Sequence, residues 1–345
     1  MKITKIEAFK VFVPWQDSLK EPMREWRKIM PGNSPEEEDA YAVVKVHTDE
    51  GLIGLGEGGR DVEEVKRQGE AFIGKNPLEL KPFSMQRPWA MALFDLAGKA
   101  LGVPLYQLLG TKVHDDIPFA WWSPYMAPEG TGKLAEEGAA RGFKVHKIKA
   151  RPWDAVDHVK AIHAGAGDAL AIRIDPNCHF EQPAVAVRIA RQIESYNIEC
   201  FEDPVSKDRP EWNRLIREKT TVPVALHDTS PINLLNHIRA DAADFVNIGG
   251  SVENIFRAAH ICESAGIPVW LQTEGHCYDL QAAFNCHVNA VIPNATLAQD
   301  TLPFLREASI VTEPLWPTDG AVKVPEGPGL GVDLDEEMIG KYRVG

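Results

Sequence analysis

The sequence predicts an α/β protein, a β/α barrel preceded by an α+β domain, and three observations carry that expectation. From about Val113 onward, eight short apolar runs alternate with helical stretches over about 190 residues, the rhythm of strands that each feed a helix and close into a barrel. Before that, alternating apolar and polar residues give way to helical periodicity, the order of an antiparallel sheet covered by helices. Three barrel strands end in a carboxylate, Asp175, Glu202 and Asp228, spaced 27 and 26 residues apart, about one β/α unit each.

Taken in order, residues 2–13 (KITKIEAFKVFV) and 41–48 (YAVVKVHT) alternate as strands, and Asp49-Glu50-Gly51 turns the second into 52–57 (LIGLGE), an antiparallel sheet. Between the first two strands, residues 15–39 carry Pro22, Pro31, Pro35, two tryptophans and the basic residues Lys20, Arg24, Arg27 and Lys28. A connection of that length reads as a functional or disordered loop. Helical spacing runs from Asp61 to Leu109, with a Gly-x-Pro break at Gly102. Barrel strands are expected at 117–122, 144–149, 170–175, 199–202, 222–228, 244–248, 268–272 and 295–299, with a last helix at 279–290. Beyond Pro303 the chain is rich in Pro and Gly. The expected domains are residues 1–112, with a lid loop at about 15–38, a barrel at 113–312, and a C-terminal segment, 313–345, that returns to the first domain.

The 345 residues carry 37 Lys+Arg against 50 Asp+Glu, a formal charge of −13, with 44% hydrophobic residues. That composition excludes a disordered chain. The acidic balance speaks against a nucleic-acid partner, which needs a basic footprint. It leaves a small anionic substrate open, because the local field at a site outweighs net charge. No apolar run approaches the roughly 18 residues of a membrane span, and residues 1–14 lack the apolar centre of a secretory signal. Five cysteines without C-x-x-C spacing read as reduced thiols of a cytoplasmic protein.

Barrel enzymes gather their reactive groups at the C-terminal strand ends. A lone carboxylate there is a helix cap or a solvated group. Three in phase repel one another unless a cation sits among them, and hard oxygen ligands suit Mg²⁺. The second strand ends Lys147-Ile148-Lys149, placing both lysines on one face. Mutual repulsion and partial desolvation lower a lysine's pKa and let Lys149 accept a proton. Metal and lysine together define a reaction class: a chelated carboxylic acid loses its α-proton to Lys149 and passes through a metal-stabilised enediolate. By alternation His146 and His227 point away from the interior, Trp121 and Trp122 pack in the core, and the lid's basic residues are solvated. Glu57-Gly58-Gly59 is not a phosphate loop.

These motifs in this order resemble the enolase superfamily, in particular the mandelate racemase and muconate lactonizing enzyme group. The likeness spans nearly the whole chain: ALFDLAGKALGVPLYQLLG (92–110), Lys147-x-Lys149, Asp175-Pro176-Asn177, Glu202-Asp203-Pro204, Asp228 and VPEGPGLGVDLD (324–335). The resemblance implies a modified TIM barrel, (β/α)7β, with an N-terminal α+β capping domain whose loop at about 15–38 closes over the site. It implies Mg²⁺ on Asp175, Glu202 and Asp228, with Lys149 as base and Lys147 as its electrostatic partner at the substrate carboxylate. It also implies a small carboxylate substrate and a homo-oligomer.

The sequence departs from that group where a second base belongs. The sixth strand offers Asn247 in place of a lysine or an acid. The seventh ends Gln272-Thr273-Glu274-Gly275-His276, so His276 lacks its expected acidic partner, and Asp300 is the nearest candidate for the eighth-strand acid. Asn247 and Asp300 are expected to face the substrate, and His276 to serve as an acid. One-base chemistry follows as the leading expectation, dehydration of a hydroxy acid or sugar acid. A racemase, epimerase or cycloisomerase on the same scaffold, and a metal-binding barrel without turnover, are the competing readings.

Overall fold

The structure, a computed structural model, describes residues 1–29, 40–228, 230–272, 277–300 and 302–345. Its first strands, β1 (Ile3–Val11), β2 (Tyr41–Thr48) and β3 (Ile53–Glu57), form an antiparallel sheet. The turn between β2 and β3 places Gly51 at φ 81°, a conformation glycine adopts without steric cost.

Between β1 and β2 the expected loop is a helix over the part described, α1 (Asp17–Ile29). The prolines masked a legible stripe: Leu19, Met23 and Trp26 recur at helical spacing and are buried. Asp17 in the first turn and Lys28 in the last complement the helix dipole. Residues 30–38 of the expected lid lie outside the described residues.

Helix α2 (Val62–Glu70) starts at an Asp61 cap. It is followed by α3 (Arg87–Leu101) and the single turn α4 (Tyr106–Leu109). The sheet meets α3 so closely that a Cβ on Gly54 or Gly56 would lie 2.2 or 2.1 Å from a backbone oxygen of Ala92 or Pro88. Only glycine admits that approach.

The expected strand at 117–122 is split. Its first half, β4 (Asp116–Pro118), pairs antiparallel with the later strand at residues 321–323, and its second half, β5 (Trp121–Ser123), opens the barrel. From there strand and helix alternate: α5 (Pro128–Ala140), β6 (Val145–Lys149), α6 (Ala155–Ala166), β7 (Ala171–Asp175), α7 (Pro183–Ile193), β8 (Ile198–Glu202) and α8 (Pro210–Lys219). The series continues with β9 (Val224–His227), α9 (Pro231–Arg239), β10 (Phe245–Ile248), α10 (Val252–Ser264), β11 (Val269–Leu271) and α11 (Asp279–Asn289).

Strands β5 to β11 form one parallel sheet in sequential order. The eighth stave is not a regular strand. Residues 297–300 close the barrel through isolated bridges, Phe119 to Gln299 and Gln272 to Asp300. After it come β12 (Ala321–Lys323), α12 (Glu336–Tyr342) and β13 (Arg343–Val344), and β13 pairs with β1.

Buried side chains fasten the antiparallel sheet to the barrel. Glu57 at the end of β3 accepts from Tyr278 N at 2.6 Å and Leu280 N at 3.1 Å, at the start of α11. Asp95 on α3 accepts from Leu55 N and Leu330 N and pairs with Lys99. No described helix is long and apolar enough to cross a membrane.

On α11, His287 stacks against Tyr106, with ring centroids 5.9 Å apart, and its Nε2 lies 3.1 Å from Leu330 O. Burial pushes its imidazole down from 6.5 to about 4. The folded chain therefore keeps it neutral while the unfolded chain takes up a proton, so the unfolded state binds more protons between those values. This contribution to stability is complete above pH 6.5 and is lost as pH falls towards 4. His287→Gln is expected to flatten that part of a urea-unfolding stability profile by about 2–3 kcal/mol; an unchanged slope refutes it.

Candidate active site at the barrel mouth

In a parallel sheet, residues paired across neighbouring strands point to the same side. Lys147 pairs with Arg173 and Lys149 with Asp175, so β6 and β7 send four charged side chains inward. The barrel's lower interior holds mostly small side chains, Ala120, Val145 and Ala298 on one side and Cys200, Ala225 and the larger Trp270 on the other. The polar layer sits above them.

At its centre is the Lys147 ammonium, 5% exposed. It lies 2.6 Å from Asp300 Oδ2, 2.7 Å from Glu202 Oε2 and 3.4 Å from Asp175 Oδ2. Burial pulls its pKa down, but Asp300, Glu202 and Asp175 outweigh burial and hold it above the usual lysine value. The lowering expected from two adjacent ammonium groups is therefore overturned for Lys147: three carboxylates stand closer to it than the repulsion can offset.

Lys149 donates to Asp175 Oδ2. Burial raises the Asp175 carboxyl, and Lys149 and Lys147 more than reverse that, leaving it well below the usual carboxylate range.

Asp300 is held by Lys147, by Arg173 Nη1 at 2.9 Å, by Trp270 Nε1 at 3.1 Å and, more distantly, by Asn247 Nδ2 at 3.5 Å. Burial raises its carboxyl and the two cations carry it below the usual range. Arg173 also reaches Glu199 Oε2 at 2.6 Å and Ala298 O at 2.9 Å, with its guanidinium 3.8 Å from the Trp270 ring centroid. Asn247, fully buried, donates to Glu202 Oε1 at 3.0 Å.

The structure thus gathers Lys147, Lys149, Asp175, Glu202, Asn247 and Asp300. It leaves Asp228 aside: among the described residues its carboxylate makes no ion pair and accepts from Ser230 N at 2.7 Å. His276 lies outside the described residues.

Sequence reasoning passed over Arg173 and Trp270, although the alternation that selected the two lysines also turns Arg173 inward. The expectation that His227 faces away is corrected. It pairs with Asn247 in register, and its Nε2 lies 2.6 Å from Gln272 Oε1, because β9 ends at His227 and Asp228 falls outside its alternation. His146 does face outward, 3.0 Å from Ser123 Oγ and fully buried.

Helix α1 reaches this mouth. Trp26 packs edge-on against Trp122 at 5.6 Å, and its ring centroid lies 5.9 Å from Lys149 Nζ. The exposed Lys20, Arg24 and Lys28 are paired with neighbouring acids on their own helix, whereas Arg27 is buried. A cleft of about 610 Å³ runs between the β3 end and the loop after β10, lined by Arg60, Arg87, Gly250 and Ser251. Arg87 Nη2 ties it to the barrel at Gln272 O, 3.2 Å away.

The donor chemistry suits a hard divalent cation. Asp175, Glu202 and Asp300 crowd around Lys147, Lys149 and Arg173, and Asn247 Oδ1 is buried without a hydrogen-bond donor. Among the described residues no three His, Cys, Asp or Glu side chains stand ready as a cage; Lys147 occupies the centre where two of the carboxylates meet.

A family profile described as enolase C-terminal domain-like matches residues 131–338. The chain is 25% identical to an N-succinyl-L-Arg/Lys racemase of Bacillus cereus, over 88% of this chain and 90% of that protein. It is 26% identical to a D-xylonate dehydratase of Haloferax volcanii, over 92% and 87%. The crystal structure of the Bacillus cereus racemase superposes with a TM-score of 0.81, covering 100% of this chain and 99% of that one.

Removing Asp300 leaves Lys147 and Arg173 buried with fewer counter-charges. Asp300→Ala is expected to destabilise the fold by about 3–5 kcal/mol in urea unfolding; a loss below 1 kcal/mol contradicts the network described here.

Proposed function

From the premise that the chain belongs to the enolase superfamily, in its mandelate racemase and muconate lactonizing enzyme group, we propose that it is a lyase or isomerase in which Lys149 removes the α-proton of a small carboxylic acid. The observation that carries the proposal is the pair of inward lysines on β6, set against carboxylates from the neighbouring staves. Asp175, Glu202 and Asp228 would hold Mg²⁺, which when bound supplies positive charge against the substrate's carboxylate oxygens as negative charge builds there.

The chain's own groups do the rest. Lys147, kept protonated by its carboxylate neighbours, is a fixed positive charge for the substrate carboxylate. Lys149, which donates to Asp175, must lose a proton and stand as a neutral amine before it accepts one from carbon. Trp26 covers that amine on the lid side and limits water there.

The side of the barrel reached by β10 offers Asn247, a neutral amide with no capacity to take a second proton. One-base chemistry follows: dehydration of a hydroxy acid or sugar acid. Lys149 takes the α-proton, the C–O bond at the β-carbon breaks, and the lysine's proton leaves with the hydroxide as water. The 26% identity to a sugar-acid dehydratase supports this reading. The 25% identity to a racemase supports the second, proton transfer without loss of water on the same scaffold.

In D2O with Mg²⁺ and a panel of C4–C6 hydroxy acids, the wild type is expected to incorporate deuterium at the α-carbon or release water from at least one member. Lys149→Ala is expected to lower that rate about 10²–10⁴-fold, and chelation by EDTA to abolish it until Mg²⁺ is restored. Undiminished turnover in Lys149→Ala excludes the mechanism.

A further inference from the structure

Two residues beyond the end of β6, past the strand's own alternation, stands Arg151. This guanidinium is 3% exposed as a residue. Its Nη1 donates to Ala150 O at 3.0 Å, its Cζ lies 5.0 Å from the Tyr125 ring centroid, and its Nη2 is buried without a hydrogen-bond partner. The buried Arg173 has Glu199 and Asp300 as ion-pair partners; Arg151 has no ion pair among the described residues.

The nearest acid is already engaged. Asp154 accepts from the Arg151 backbone N at 2.8 Å through Oδ1, and from Tyr125 Oη at 2.5 Å through Oδ2. Trp153, 75% exposed, donates to Tyr125 Oη at 3.3 Å and stands at the outer edge. A rigid frame therefore holds a desolvated cation in place and leaves its charge unmatched. Burial lowers its pKa, with Tyr125, Asp154 and Asp175 opposing, so the Asp175 side of the site lies within its electrostatic reach. A buried charge without a partner is costly, and an anion docking from the mouth removes that cost.

We propose that Arg151 is a specificity-determining residue that binds a second, terminal anionic group of the substrate, a carboxylate or a phosphate, while the substrate's reacting carboxylate lies towards Lys147 and Lys149. The inference rests on the reaction site proposed above and narrows its substrate class to dianionic acids. A guanidinium fork suits either group, since both accept two parallel N–H bonds.

Calorimetric binding to the full-length protein in Mg²⁺ tests it without requiring turnover. Matched probes are gluconate, glucarate and 6-phosphogluconate, together with the C4 and C5 aldonate and aldarate pairs. In at least one set the dianion is expected to bind about 10- to 100-fold more tightly than the monoacid. The preference should vanish in Arg151→Gln, persist in part in Arg151→Lys, and leave monoacid binding unchanged. The carboxylate and phosphate arms identify the terminal group. No preference for the dianion in any set, or a preference that survives in a folded Arg151→Gln, overturns the inference. Loss of α-proton exchange with the dianion preference intact would instead count against Lys149 as base.

Discussion

One ammonium group organises the upper barrel. Lys147 stands where Asp175, Glu202 and Asp300 converge, and it offsets charge that is costly to bury unpaired, above all at Glu202, which has no other ion pair among the described residues. The dependence runs both ways, because a lysine buried to this extent keeps its proton only among acids. That mutual requirement also bears on closure of the barrel. The eighth stave, residues 297–300, lacks a continuous ladder, and polar contacts take over part of the ladder's role. Arg173 grips Ala298 O and Asp300 together, while Trp270 and Lys147 hold the other carboxylate oxygen. The site and the seam of the barrel are the same set of bonds.

The antiparallel sheet is bound to this centre by similar means. Glu57 spends its carboxylate on backbone N–H groups at the start of α11, where the helix has unsatisfied donors. Burial still pushes that carboxyl up to about 7, with the nearby Asp279 adding to the effect. Tyr278 ties the same corner back to β1 through Val11 O and Val13 N. With α1 anchored by Trp26 against Trp122 and Arg87 bonded to Gln272 O, the N-terminal elements meet the barrel beside Lys149 and at the end of the seventh strand.

Much of this was legible in the sequence, for identifiable reasons. The period of apolar runs located the barrel strands because parallel strands are buried on both faces and admit few polar residues. The same rule made Lys147, Lys149, Asp175 and Glu202 conspicuous. Arg173 obeyed the rule and was passed over, since an arginine in mid-strand reads as an interruption until its register with Lys147 is known. The α1 helix was hidden by Pro22, whose breaking tendency outweighed the spacing of Leu19, Met23 and Trp26. The break at Pro118 and the irregular eighth stave depended on long-range partners, β12 and Arg173, that no local window contains. His227 was misplaced because alternation was counted from Asp228, one residue past the end of the strand.

The cations on and just beyond β6 and β7 differ in how fully they are compensated. Arg173 has two acids, Lys147 three, Lys149 one, and Arg151 none among the described residues. Arg173, fully buried beside Glu199 and Asp300, is neutralised internally. At Arg151 positive charge is left unmatched among the described residues, beside Asp154 and Tyr125. Positive charge left unmatched at Arg151, together with Lys147 and Lys149 nearby in the sequence, favours a ligand that is anionic at both ends. Burial does not set this order, since Arg151 is 3% exposed against 5% for Lys147 and 7% for Lys149; the difference lies in the acids the fold places around each cation.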